Sequence, residues 1–273
     1  MYDSTERAPL PSVPLSVVLA AYQVAGDVES LLGSWHAELV NSGRGFEILF
    51  VDEGSVDGTP EQAEALTSKY PELRILRPAE PIGIGAALRA GLAAARHPLF
   101  FYAECSTRFQ PADLKQLLTH IDAVDLVTGF RVAAPPPLWL RILGSGYRLA
   151  VRVLFGLEIQ PRTCWLGWKE YFYRLLAQWL FGLRIQDVAC PFRLFRRQIF
   201  ERIPIQSNQA FSHVEILAKA NFLGCLMDEV PVAFHPTASR IVRDSETSLR
   251  RRLREGWQVL KNADFGPVHL PDS

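Results

Sequence analysis

Phe46-Glu47-Ile48-Leu49-Phe50-Val51-Asp52-Glu53-Gly54-Ser55-Val56-Asp57-Gly58-Thr59 runs from an apolar segment into two carboxylates, then a Gly-Ser-x-Asp-Gly-Thr turn. Helix-forming residues follow. A buried strand that ends this way sets acidic side chains at its C-terminal end, where open α/β sheets place their ligand crevice. Carboxylates there can accept hydrogen bonds from ribose hydroxyls or a base N–H. The plainer reading is a strand–turn–helix with solvated acids, in which Asp57 or Thr59 serves as the helix N-cap.

Working outward, Ser16-Val17-Val18-Leu19-Ala20-Ala21-Tyr22 reads as a first buried strand. A helix follows it with Val28, Leu31, Leu32 and Trp35 at helical spacing. A strand from Leu73 to Leu76 leads through Pro81-Ile82-Gly83-Ile84-Gly85 into an Ala-rich helix over Ala86–Ala95. The strand Leu99–Ala103 comes next, and Pro111-Ala112-Asp113 opens another helix. Strands alternating with helices at this spacing predict an α/β fold with a mostly parallel, twisted sheet flanked by helices.

Composition narrows the class. At 273 residues, 48% of them hydrophobic, the chain can bury the core of one domain. A formal net charge of zero argues against a nucleic-acid partner. Cys105, Cys164, Cys190 and Cys225 are scattered without a C-x-x-C pair, which fits buried or idle thiols in a reducing compartment. Residues 1–14 are polar and Pro-rich, without the apolar core of a signal peptide.

The chain resembles the family 2 glycosyltransferases with the GT-A fold, particularly the polyprenyl- (dolichyl-) phosphate sugar transferases. The matching elements are S-V-V-L-A-A-Y, I-L-F-V-D-E-G-S-V-D-G-T, G-I-G-A-A-L-R-A-G, T-G-F-R, D-V-A-C-P-F-R-L-F-R, the S-N-Q-A-F run with E-I-L behind it, and E-V-P-V-x-F-H-P. They keep the family's order from about residue 15 to residue 240. The resemblance implies a GT-A domain over 15–243 with a basic C-terminal helix and tail over 244–273. It further implies sugar transfer from a GDP or UDP sugar to an acceptor, above all a polyprenyl phosphate at a membrane surface. The expected location is cytoplasmic, peripheral on the inner face of the membrane. The alternative from another class is a catalytically inactive GT-A-like binding or scaffold protein.

By the same resemblance, Tyr22, Asp52, Glu53, Glu104, Ser106 and Arg240 form the nucleotide-sugar side of the site. Arg131, Asp187 and Arg193 are the catalytic candidates, and Glu215 and His235 lie on the acceptor side. Each has a structural alternative. Arg193 can clamp a carboxylate such as Asp187, Glu215 can serve an internal salt bridge, and His235 can simply end a strand. With a hydroxyl acceptor in place of a phosphate, Asp187 is the candidate base.

The family's Asp-x-Asp, which holds Mg or Mn on the donor diphosphate, falls here on Glu104-Cys105-Ser106. Glu104 is a weak metal ligand on its own, Ser106 is neutral, and Arg108 two residues on opposes a cation and can itself pair with phosphate. Further departures are Val24 for a carboxylate, Glu53 for Asp, Pro81 for Asn and Pro191 for Gly.

A duplication marks residues 138–186. Tyr147-Arg148-Leu149 with Leu154-Phe155-Gly156-Leu157 recurs as Tyr173-Arg174-Leu175 with Leu180-Phe181-Gly182-Leu183. Trp139, Trp165, Trp168 and Trp179 concentrate there among arginines, as in a helix lying in a membrane interface; a helical hairpin packed on the protein's own sheet or on a second subunit is the alternative. Arg250, Arg251, Arg252 and Arg254 add a basic patch that favours anionic headgroups or is simply solvated.

Overall fold

The computed structural model describes residues 13–77, 83–132, 174, 177–235, 249–262 and 264. Most of the 138–186 duplication lies outside them, as do Pro81, Cys164 and Arg240. Seven strands form one sheet: β1 (Leu15–Ala21), β2 (Phe46–Asp52), β3 (Leu73–Leu76), β4 (Leu99–Glu104), β5 (Leu126–Val132), β6 (Phe192–Arg196) and β7 (Met227–Ala233). Their order is β3-β2-β1-β4-β6-β5-β7. β6 runs antiparallel to both β4 and β5, and the other pairings are parallel.

The central strands β1 and β4 are mostly apolar because both faces are covered. Along β1, Leu15, Val17, Leu19 and Ala21 enter one core, while Val18 and Ala20 enter the other. The first core is closed by α1 (Val28–Asn41), whose Val28, Leu31, Leu32 and Trp35 are all buried. The Trp35 ring lies 5.4 Å from Phe101 and 6.1 Å from Phe192, so it bridges β4 and β6. The second core takes α3 (Ile84–Ala94) and α5 (Ser212–Phe222). Between these elements come α2 (Thr59–Ala65) and α4 (Leu114–His120), and α6 (Leu249–Lys261) follows.

The polar residue inside β1 is accounted for at the N-terminal edge of the sheet. Ser16 Oγ donates to Glu47 at 2.7 Å, and Glu47 also takes the Arg96 N–H and the Arg74 guanidinium. Glu47 is therefore a structural acid at the end of the sheet remote from Asp52.

Gly85 explains why the sequence before α3 is rich in glycine. A Cβ there would lie 2.2 Å from the Ser207 carbonyl oxygen, because the 205–208 segment packs directly on the start of α3. Gly85 N–H donates to the Asn208 carbonyl at 3.0 Å, and Arg89 donates to the Ser207 carbonyl at 2.8 Å. Two motifs far apart in sequence thus meet through backbone contact.

Candidate active site

The C-terminal ends of β1, β2 and β4 lie side by side, with Ala21 paired to Asp52 and Ala20 to Glu104. Tyr22, Asp52, Glu53, Glu104 and Ser106 lie at or just beyond these strand ends. Asp52 is 6% exposed, and its carboxylate accepts N–H bonds from Gly54 and Ser55 at 3.1–3.3 Å. Those bonds fix its direction, and a carboxylate retains lone pairs beyond them.

The turn after β2 is latched onto the turn after β1. Gln23 N–H donates to Ser55 Oγ, Val24 N–H to Thr59 Oγ1, and Ala25 N–H to Asp57 Oδ2, at 2.9–3.1 Å. Gly58 (φ 86°), not Asp57 or Thr59, is the residue preceding α2, a left-handed position that suits glycine. Asp57 instead accepts from Thr59 through both its N–H and its hydroxyl. Burial alone would raise the Asp57 carboxyl, but these donors outweigh it and hold it below the usual range. Gln23 adopts φ 52°, rare for a residue with a side chain, and its Oε1 is enclosed without a partner. Val24, where a carboxylate was expected, is buried in the first core.

At the end of β4, Glu104 is held by the Arg108 guanidinium. Arg108 is fixed in turn: its carbonyl accepts the His235 N–H at 3.0 Å, and Phe109 bridges Phe234. The Phe234 ring carries two guanidiniums, Arg108 at 5.9 Å and Arg131 at 5.4 Å from its centroid. His235 is exposed, with its ring 3.1 Å from the Gln110 amide.

Arg131, on β5, grips Asp187 through Nε at 2.6 Å and Nη2 at 2.8 Å. Burial pushes the Asp187 carboxyl up, but the Arg131 charge and hydrogen bonds more than compensate and hold it low. Arg193, 1% exposed, donates to Thr128 Oγ1, the His213 carbonyl and the Val188 carbonyl at 2.7–3.1 Å. It is therefore Arg131, not Arg193, that clamps Asp187. Glu215 accepts the Gln206 and Ser207 N–H groups and pairs with buried Lys219, each at 2.8 Å. Its described contacts are internal. Burial pushes the enclosed Cys190 thiol up, which keeps it protonated and inert.

Glu229 on β7 opens the E-V-P-V-x-F-H-P motif but was not named as a site residue, because its partner is distant: it accepts the Gln186 N–H at 2.8 Å. Burial raises its carboxyl to about 7. A raised carboxyl means the folded chain keeps a proton that the unfolded chain has released. The resulting stability is full below the unfolded value near 4.5 and is lost as pH rises through about 7. Glu229→Gln keeps the acceptor and removes the charge. We expect it to unfold about 1–2 kcal/mol later than wild type at pH 8 and no later at pH 4.5, read by urea melts at both values. Equal gains at both values would contradict the argument.

A solved relative places this architecture. Glucosyl-3-phosphoglycerate synthase from Mycobacterium tuberculosis, in complex with Mn2+, UDP and phosphoglyceric acid, matches with a TM-score of 0.59 at 17% identity, covering 96% of this chain and 80% of that one. The fold is GT-A, that of the nucleotide-diphospho-sugar transferases. The profile described as Glycosyl transferase family 2 matches residues 16–204, and the chain belongs to that family. Glycosyltransferase AglD from Haloferax volcanii is 27% identical over 93% of this chain, which spans 39% of that protein. The dolichyl-phosphate beta-glucosyltransferase of Saccharomyces cerevisiae is 25% identical over 81% of this chain, which spans 66% of it. The chain thus spans less than two thirds of the length of these relatives.

Proposed function

We propose that this chain is a glycosyltransferase domain that moves a sugar from a nucleotide diphosphate, UDP or GDP, to a polyprenyl phosphate at a membrane surface. One observation carries the reading: the carboxylates at the ends of β2 and β4 lie on the same edge of the sheet as two guanidiniums set against Phe234. Carboxylates suit ribose and base donors, and guanidiniums suit phosphates. The lipid-phosphate transferase name of the yeast relative supports the acceptor class.

Transfer needs little from the protein beyond position and charge. An oxygen of the acceptor phosphate attacks the anomeric carbon as the bond from that carbon to the donor diphosphate breaks. The electron pair leaves with the diphosphate. The attacking oxygen is already anionic, so no base has to remove a proton, and the residues supply alignment and stabilisation of the departing charge. Asp52, Glu53 and Tyr22 take the nucleoside. Arg131, held by Asp187, faces the phosphates, and Arg193 supports the acceptor side. Ser106 completes the turn after β4.

Membrane attachment draws on the apolar surface around α6 and residues 177–181. Trp179 is 83% exposed and Trp257 is 62% exposed. Among the described residues no helix is long and apolar enough to cross a membrane, so contact would be interfacial. Flotation with anionic vesicles tests this part, and a chain that stays at the bottom of the gradient removes it.

For the activity, thermal unfolding is followed with UDP, GDP and their common sugar conjugates. Selective binding raises the midpoint by mass action. Purified protein with the stabilising sugar nucleotide should then load sugar onto a short polyprenyl phosphate in detergent. Absence of any nucleotide shift would instead support the inactive scaffold.

A further inference from the structure

The mycobacterial neighbour is in complex with Mn2+ and UDP, and the resemblance to family 2 implies that a metal would fall on Glu104-Cys105-Ser106, at the end of β4. The residues present here do not fit one. Glu104, the one acid of Glu104-Cys105-Ser106, already has the Arg108 guanidinium on it. Cys105 is turned into the first core, and Ser106 Oγ accepts the Arg108 N–H at 3.4 Å. Among the described residues no group of three or more His, Cys, Asp or Glu could hold an ion. A divalent cation would have to displace a guanidinium from its carboxylate and then sit beside that like charge.

We infer that Arg108 stands in for the divalent ion: its guanidinium binds the donor diphosphate, Glu104 positions it, and donor binding needs no metal. The inference rests on the transferase reading above. Its basis is placement. Arg108 is tethered by its backbone to His235, laid over Phe234 and paired with the strand-end carboxylate that the metal would have used. Arg108 and Glu104 side chains are 20% and 25% exposed, so the pair reaches solvent at the end of β4. Glu104 engages only Nη2, and Nε is enclosed without an acceptor. Among the described residues Glu104 takes Nη2, which leaves Nη1 of the partly exposed guanidinium for the oxygens of a diphosphate. Arg131 brings a second guanidinium to the same ring.

Calorimetric titration of the full chain with UDP, UMP, GDP and GMP, in EDTA and then in Mn2+, tests this. We expect one diphosphate to bind at least about tenfold more tightly than its monophosphate in EDTA, with Mn2+ changing its affinity less than about twofold. Arg108→Ala should shrink the diphosphate preference to within about threefold while sparing the monophosphate, and Arg108→Lys should restore part of it. Diphosphate binding that appears only with Mn2+ overturns this inference and leaves the transferase reading standing. So does an intact diphosphate preference in Arg108→Ala. No nucleotide binding under any condition overturns both. Should Arg108→Ala fail to fold, the wild-type EDTA and Mn2+ titrations and Arg108→Lys decide alone.

Discussion

Arg193→Ala is expected to lower the unfolding free energy by about 3–5 kcal/mol. The side chain is 1% exposed, and its guanidinium ties three separate parts of the chain. Thr128 belongs to β5, His213 to the first turn of α5, and Val188 to the loop that carries Asp187. Alanine would remove all three charge-assisted bonds, strand two buried carbonyls and leave a cavity. Burial lowers the Arg193 pKa to about 10, so it stays cationic at neutral pH and the bonds remain charge-assisted. Arg193→Lys keeps the charge but not the planar fork, and should recover less than half of the loss. Urea melts with an unchanged m-value would read the difference directly. A variant as stable as wild type that had lost nucleotide or acceptor binding would instead make Arg193 a ligand contact.

The same residue shows where sequence reading works and where it stops. β1, β2, β3 and β4 were legible because short, mostly apolar runs lead into turn-forming sequence. α1 was legible because Val28, Leu31, Leu32 and Trp35 repeat at helical spacing, and all four are buried. Nothing local marks Phe192–Arg196 as the strand that reverses direction between β4 and β5. Its partners come from residues 99–103 and 126–128, and only tertiary pairing selects them. Side-chain partners follow the same division. Glu215 and Lys219 are four residues apart on one helix, so the internal salt bridge was a visible alternative. Glu104 and Arg108 share that spacing but sit on a strand end and its turn, so their pairing depends on how the turn closes. Arg131 and Asp187 are separated by the whole of the duplicated segment, and Glu229 meets Gln186 only through the packing of β7. Motif order thus named residues that the fold gathers on one edge of the sheet, whereas the internal struts among them became visible only in the folded contacts.

The Arg131–Asp187 pair should behave as one unit. Asp187 is 5% exposed and takes two side-chain bonds from Arg131, plus its backbone N–H at 3.3 Å. Removing either partner leaves the other charge buried without compensation, at an expected cost of about 3–5 kcal/mol for Arg131→Ala or Asp187→Ala. The double variant should cost much less than the sum, with a coupling energy of about 2–3 kcal/mol in a double-mutant cycle read by urea denaturation. Linkage supplies an independent check. The Asp187 carboxyl is held below its unfolded value of 3.8, so the pair's stability is present above that pH and fades as pH falls toward the folded value. Asp187→Asn should therefore flatten the acid limb of the stability curve. The cycle also separates the structural task of Arg131 from a chemical one. Asp187 takes Nε and Nη2, so a phosphate must be met by the rest of the fork. If the pair only shapes the loop, turnover measured at a temperature where each variant is folded should fall equally for Arg131→Ala and Asp187→Ala. If Arg131 also stabilises the departing diphosphate, Arg131→Ala should lose at least about tenfold more in kcat than Asp187→Ala, because it alone removes the cation. A coupling energy near zero would mean that the two residues act separately, and the loop carrying Asp187 would then owe its position to Arg193 and Glu229 instead.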